Sequence, residues 1–327
     1  MKLTVYPDKR ILPEKSERPV AKDGYACFRV KACGVCGSDL PRMLNNKAYH
    51  YPIVVGHEFS GIVEDSTNPT LVGKRAAVFP ILPCGACEFC AREEYANCVS
   101  YNYYGSRCDG GMQEYLLVKE TNLVFLPDSV SYAAGAMLEP TAVCLHAMKK
   151  AEIGENTRVL IYGAGTIGML CAMWAKHFGA KSVTLSDIDE RKLAMAKELG
   201  FSVAAEDERA DVVVEASGAG AALIGGIEHL APFGKLILVG NTERDTVIPK
   251  EVYSKLLRKQ LTVCGSWNSD YKRDCNDWVD SVRAIAQGSI CPERLITHRF
   301  ALSEASAMVE LIDRRTELFQ KIMMEMK

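Results

Sequence analysis

Ten residues constrain this chain more than any others: Val159-Leu160-Ile161-Tyr162-Gly163-Ala164-Gly165-Thr166-Ile167-Gly168. Four strand-forming apolar residues run into a Gly-x-Gly-x-x-Gly loop, and a helical segment from Ile167 to Phe178 follows. An uninterrupted apolar strand fits the interior of a parallel sheet covered on both faces. The glycines let backbone N–H groups at a helix N-terminus approach a pyrophosphate. Gly163, Gly165, Thr166, Ile167 and Gly168 are therefore expected to bind a dinucleotide. The next strand, Ser182 to Ser186, ends at Asp187, nineteen residues after Gly168. A carboxylate there can accept both ribose hydroxyls and would repel a 2′-phosphate, which favours NAD over NADP. Lys192 follows within the next turn and can reach the same ribose.

Strands and helices alternate beyond this point. A helix is expected from Glu190 to Leu199, with strands at Asp211 to Glu215, Lys235 to Val239 and Leu261 to Cys264. This order predicts an α/β unit with a doubly wound parallel sheet. One connection is anomalous. The short strand Ser202 to Ala205 is separated from Asp211 by only Glu206 to Ala210, whereas a parallel crossover normally takes a dozen residues or more. A truncated connection without its return helix is expected near residues 204–211.

Upstream of residue 145 the texture differs. Short apolar stretches, Tyr25 to Ala32, Gly61 to Glu64, Arg75 to Phe79 and Tyr115 to Val118, alternate with Gly, Pro and Cys, as in an irregular β-rich lobe. Downstream of 266 a helix is expected around Trp278 to Gln287, and the apolar tail Lys321 to Met326 reads as a last strand. At 327 residues, two lobes are the first expectation. Lys plus Arg (39) nearly balances Asp plus Glu (41), which gives no support for a nucleic-acid or membrane-surface partner. The start of the chain has no signal-peptide core, and the longest uncharged run, Val159 to Ala175, falls short of a spanning helix. A soluble, cytoplasmic protein is the expectation.

Thirteen cysteines in a reducing compartment point to metal ligands plus inert thiols. Cys84, Cys87, Cys90 and Cys98 lie within fifteen positions, and four thiolates can close a tetrahedral structural zinc site. An iron–sulfur run would place its fourth cysteine three residues on, followed by proline; here the gap is seven and Val99 follows. Cys27, Cys33, Cys144, Cys171, Cys264, Cys275 and Cys291 lie in scattered, mostly apolar contexts and are expected to be buried. A second, open site is suggested by Cys36, His57 and Glu58, a thiolate, an imidazole and a carboxylate, with Glu139 as a carboxylate that can approach or alternate. Because His57 and Glu58 are adjacent, both can ligate only if the backbone turns there; otherwise Glu58 stands behind the ligands. Asp39 has two readings, an acceptor for the other ring N–H of His57 or a helix N-terminal acid.

In this order, Cys36-Gly37-Ser38-Asp39, Gly56-His57-Glu58, the four cysteines, Asp109-Gly110-Gly111-x-x-Glu114-Tyr115, Glu139-Pro140, the glycine loop and Gly265-Ser266 resemble the zinc-containing medium-chain dehydrogenases over essentially the whole chain. Stretches such as 37–42, 49–52 and 105–107 are most similar to its polyol-dehydrogenase branch. The resemblance implies a GroES-like catalytic domain over 1–145 and 267–327 and a Rossmann domain over 146–266. It further implies two zinc ions per chain, NAD, a homodimer or homotetramer, and hydride transfer from a secondary alcohol of a polyol or polyol phosphate, galactitol 1-phosphate favoured. Free polyols such as sorbitol, L-threonine, or a catalytically silent NAD-binding relative are the alternatives. By the same resemblance Cys36, His57, Glu58 and the nearby Glu139 hold the catalytic zinc, and Ser38 hands the alcohol proton onward. Many relatives continue that relay through a histidine where Pro41 stands, so His50 or zinc-bound water is the substitute. Arg42 and Arg107 suit a phosphate or carboxylate on the substrate, since guanidinium binds either bidentately.

A catalytically silent relative has no use for the open site, so metal content separates the alternatives. Elemental analysis of the purified protein is expected to return two zinc ions per chain. One zinc, lost only when the Cys84 to Cys98 segment is disrupted, would favour the silent reading.

Overall fold

The structure, a computed structural model, describes residues 1–242, 244–314 and 317–326. The chain divides into two compact units, Met1–Glu139 with Asp270–Lys327, and Pro140–Ser269. Both ends of the chain thus build one unit, and the alternating segment builds the other.

The second unit is a six-stranded parallel sheet. Its strands are β1 (Arg158–Tyr162), β2 (Ser182–Ser186), β3 (Ser202–Val203), β4 (Ala210–Glu215), β5 (Leu230–Leu238) and β6 (Thr262–Gly265). They lie in the order β3-β2-β1-β4-β5-β6, with β1 central. The doubly wound parallel sheet read from the alternation is therefore present. The helix Thr166–His177 buries every residue from Gly168 to Ala175. Trp174, the bulkiest of them, donates its indole N–H to Thr141 O at 3.0 Å. A helix that is apolar nearly all round has to lie inside the unit, which makes the loop before it rigid.

The truncated connection is also present: residues 204–209 lead from β3 to β4 through a turn, without a helix. Backbone groups that a return helix would have covered are met from the end of helix Gly220–His229. His229 Nε2 lies 3.1 Å from Glu206 O, and its Nδ1 lies 2.8 Å from the Tyr162 hydroxyl. Nδ1 also lies 2.8 Å from Gly225 O, so each ring nitrogen faces a carbonyl and the Tyr162 hydroxyl joins them at Nδ1. Arg209 adds a hydrogen bond to Glu228 O at 3.4 Å.

The first unit is organised around one long strand, Tyr25–Val35. Strand Glu58–Asp65 pairs antiparallel with it from Cys27 to Gly34. Its other edge is shared: Tyr115–Lys119 takes the first half, and the last strand, Lys321–Glu325, takes the second. Sequence reading ended the long strand at Ala32 and began its neighbour at Gly61. Both run three residues further toward the site, because Gly34 and Glu58 are paired across the ladder. Phe59 anchors the core, edge-on to Phe28 at 6.2 Å and to Tyr104 at 6.1 Å between ring centroids. Burying each such aromatic stabilises the unit by about 1.5–3 kcal/mol.

Cys27, Cys33, Cys144 and Cys171 are buried as expected. Cys264 is half-buried, and Cys275 and Cys291 are exposed, which corrects the expectation for those three. Cys275 sits in the loop before helix Asp277–Ala286, and Cys291 caps the short 3-10 helix Pro292–Leu295. Neither position has the inward face that a strand or helix would lend to an apolar sequence context. Among the described residues no helix is long and apolar enough to cross a membrane.

The His229 network replaces a lost helix, so it should be measurable. His229→Ala leaves the Glu206 carbonyl and the Tyr162 hydroxyl without their partner and is expected to cost about 1–3 kcal/mol in urea denaturation. A loss below about 0.5 kcal/mol, typical of an exposed substitution, would show that the network does not matter.

Candidate active site

Strand register assembles the open site. Gly34 pairs with Glu58 on one side of the long strand, and Val35 pairs with Ile322 on the other. Three strand ends thus bring Cys36, His57 with Glu58, and Lys321 to one corner of the first unit. Ligand atoms of Cys36, His57 and Glu58 lie within 4.8 Å of one another. The turn that adjacent ligands require is supplied by Gly56, whose φ of 96° is left-handed. A Cβ there would lie 2.5 Å from Cys33 Sγ, so a side chain is excluded by space as well as by backbone. At Gly34 a Cβ would lie 2.2 Å from Glu58 Oε2; the carboxylate folds over this glycine.

The groups behind the three donors are buried and charged. Asp39 opens the helix Asp39–Leu44, as its helix-terminal reading expected, and it faces His57 by a charge contact in place of the expected hydrogen bond. Its Oδ2 accepts the Cys36 N–H at 3.1 Å, and its Oδ1 lies 3.4 Å from His57 Nδ1. That second approach is an ion-pair distance without hydrogen-bond alignment, since Nδ1 has no aligned partner. Burial disfavours charge on His57, but the negative charges of Asp39 and Cys36 outweigh it and hold the imidazole well above its usual pKa. Burial likewise raises the Asp39 carboxyl, and His57 and Arg42 overcome that and keep it below its ordinary range.

Lys321 is the residue that sequence reading missed. Read as the start of an apolar tail, it carries a buried ammonium that donates to both Glu58 oxygens, at 2.8 and 2.6 Å, and to Val35 O at 3.1 Å. A lone lysine at the head of an apolar strand is the only signal that could have flagged it. Glu139 is not in the close donor group. Its Oε1 accepts from the Tyr103 hydroxyl at 3.3 Å, and burial pushes its carboxyl up to about 7, with His57 opposing. Tyr103, also unforeseen, sets its ring edge against His57 at 5.6 Å between centroids.

The other anticipated residues separate. Ser38 places its hydroxyl 3.4 Å from Cys36 Sγ. Arg42 reaches back along its own helix turn to Ser38 O at 2.6 Å, Ser38 Oγ at 3.3 Å and Asp39 Oδ1 at 3.4 Å. Arg107 binds Tyr101 O at 2.8 Å, and exposed His50 lies against the Arg107 carbonyl at 3.2 Å.

The four-cysteine cluster is assembled as its spacing implied. Sγ atoms of Cys84, Cys87, Cys90 and Cys98 all lie within 4.8 Å of one another, with Cys87 to Cys90 at 3.5 Å and Cys84 to Cys90 at 3.8 Å. Tetrahedral zinc with bonds of about 2.3 Å to sulfur needs edges of roughly 3.8 Å. Backbone N–H groups of Val99 and Cys90 pull the Cys87 thiol down to about 6, so the thiolate a metal requires is favoured there before any ion binds.

In the second unit the glycine loop leads into helix Thr166–His177, and Gly168 has no room for a side chain: its Cβ would lie 1.7 Å from Gly163 O. Asp187 folds onto the loop. Its Oδ2 accepts Ala164 N–H at 2.7 Å, its Oδ1 accepts Asp189 N–H at 2.9 Å, and Lys192 Nζ lies 3.9 Å away. A further buried carboxylate, Glu215 at the end of β4, binds Ser217 N–H, its hydroxyl and Gly218 N–H at 2.6–2.8 Å and shapes the neighbouring loop.

Residues 22–128 match the alcohol dehydrogenase GroES-like domain, and 166–287 match the zinc-binding dehydrogenase domain. The chain is 37% identical over 308 residues to galactitol 1-phosphate 5-dehydrogenase of Escherichia coli K12, covering 88% of each protein. It is 30% identical to sorbitol dehydrogenase of Bombyx mori, covering 91% of each. The crystal structure of galactitol-1-phosphate dehydrogenase from Escherichia coli superposes with a TM-score of 0.92 at 33% identity, over 99% of both chains. The chain belongs to the zinc-dependent medium-chain alcohol dehydrogenases, and it is an oxidoreductase of their polyol-dehydrogenase kind.

The pairing of Lys321 with Glu58 generates a test in chelator-treated protein. Lys321→Met strands a buried carboxylate and is expected to cost roughly 3–5 kcal/mol in chemical denaturation. Stability equal to the wild type would show that Glu58 does not need the lysine.

Proposed function

We propose that this chain oxidises a secondary alcohol of a polyol, passing hydride to NAD, and that its preferred substrate is galactitol 1-phosphate. The observation that carries the reading is the convergence of Cys36, His57 and Glu58 at one buried corner. One thiolate, one imidazole and one carboxylate suit zinc and leave a coordination position for a substrate hydroxyl. His57 Nδ1, buried and lacking an aligned hydrogen-bond partner, faces the Asp39 carboxylate at 3.4 Å, which leaves the other ring nitrogen for ligation. Zinc held there supplies Lewis acidity that makes a hydroxyl more acidic.

The remaining work belongs to the chain's own side chains. Ser38, beside Cys36, accepts the alcohol proton as its own hydroxyl proton leaves. Pro41 offers no continuation, and Arg42, which contacts the Ser38 hydroxyl, cannot accept a proton. The proton that Ser38 releases goes on to water or to the exposed His50. Lys321 pairs with Glu58 and holds its carboxylate over Gly34, beside His57. In the second unit, the loop from Gly163 to Gly168 suits a pyrophosphate, and Asp187, closed onto that loop, places negative charge where a 2′-phosphate would lie. Identity to galactitol 1-phosphate 5-dehydrogenase supports the phosphorylated substrate, and the sorbitol dehydrogenases support the same chemistry on free polyols.

A panel of galactitol 1-phosphate, galactitol, sorbitol and L-threonine, each with NAD and with NADP, tests this. The highest kcat/KM is expected for galactitol 1-phosphate with NAD. A free polyol that outperforms it would remove the phosphate from the proposal, and equal rates with NADP would remove the role given to Asp187.

A further inference from the structure

Two arginines beside the open site differ in what they have left to offer. Arg42 is turned inward: its NH1 contacts Ser38 and the buried Asp39, so its charge is neutralised within its own helix. Arg107 makes no ion pair among the described residues. Its guanidinium carbon lies over two tyrosine rings, 4.2 Å from the centroid of Tyr101 and 4.8 Å from that of Tyr49. One nitrogen, NH1, donates to Tyr101 O at 2.8 Å, which fixes the guanidinium against the Tyr101 backbone. Its Nε and NH2 make no hydrogen bond among the described residues and are left for a ligand. His50, whose Nε2 lies 3.2 Å from the Arg107 carbonyl, stands beside it.

This arrangement is joined to the reacting centre. The Tyr101 ring packs on Tyr103 at 6.3 Å, and Tyr103 packs edge-on to His57 at 5.6 Å. Arg107 N–H also bonds Tyr103 O at 2.9 Å. The guanidinium is therefore two ring contacts from a zinc ligand, within one unit of the chain. A guanidinium held by two ring contacts and a carbonyl has its orientation prepared before binding, so little entropy is lost when it grips two oxygens in parallel. A phosphomonoester, with about −1.5 to −2 charges near neutral pH and three acceptor oxygens, is the ligand that best matches an unpaired, oriented fork.

We infer that Arg107, held against the Tyr49 and Tyr101 rings, is the phosphate grip of the substrate site and that Arg42 is not. The assignment rests on the phosphorylated polyol proposed above. The grip binds the end of the substrate remote from the reacting carbon, so it acts in ground state and transition state alike and is read chiefly in KM.

The test is the ratio of kcat/KM for galactitol 1-phosphate to that for galactitol, with NAD and the zinc-loaded enzyme. In Arg107→Gln this ratio is expected to fall about 10- to 100-fold, mostly through KM for the phosphate ester. Arg107→Lys, which keeps the charge but loses the fork, should recover part of it. Damage that is merely structural lowers both activities together and leaves the ratio in place. If Arg107→Gln does not fold, Tyr49→Ala keeps the charge and removes one of the two rings that hold the guanidinium, from an exposed position; a severalfold fall in the same ratio is expected. A wild type that prefers galactitol 1-phosphate while neither variant changes the ratio overturns this assignment alone. A wild type with no such preference overturns the substrate reading and this assignment with it.

Discussion

A single buried ion pair holds the corner on which the rest of the first unit depends. Lys321 and Glu58 are separated by 263 positions, yet the ammonium donates to both carboxylate oxygens from a strand that runs alongside Val35. Charges so far from water are tolerated only when their partners are complete, and here the Val35 carbonyl takes part of the remaining donor capacity. The pair ties the last strand to the end of the long central strand. It therefore couples the C-terminal segment to the two residues, Cys36 and His57, that lie on either side of Glu58.

Around this pair the charges alternate. Asp39 stands behind His57, Arg42 behind Asp39, Lys321 behind Glu58, and Tyr103 behind Glu139. Each buried charge has an opposite charge or a hydrogen-bond donor in contact, so a divalent cation entering among the donors meets a prepared shell instead of reorganising one. The four-cysteine cluster follows a different logic. Backbone N–H groups bias the Cys84 and Cys87 thiols toward thiolates, while burial pushes the Cys90 thiol up to about 12, and no carboxylate is among the four donors. The first site gathers three donors of different chemistry; the second gathers four thiols.

In the second unit, economy at one place is compensated at another. Loss of the helix between β3 and β4 uncovers backbone polar groups, and one histidine at the end of the next helix meets them. The sheet order survives because β3 lies at the edge, where two residues of pairing to β2 suffice.

By itself the sequence determined the elements whose signal is local. Period and glycine placement sufficed for β1, its loop and the helix Thr166–His177, and a missing dozen residues sufficed for the truncated connection. Four cysteines within fifteen positions announced their cluster because their ligands lie on one short stretch of chain. What only the tertiary structure decided was long-range. Lys321 looked like part of an apolar tail, since nothing near it in sequence reveals the carboxylate it pairs with. Arg42 and Arg107 looked alike, and were told apart only by what surrounds them: a buried aspartate for one, two tyrosine faces for the other. Cys275 and Cys291 looked buried because an apolar neighbourhood in sequence says nothing about the direction a loop residue faces. Local patterning sets secondary structure, but pairing partners across hundreds of residues are chosen by strand register, which no single segment contains.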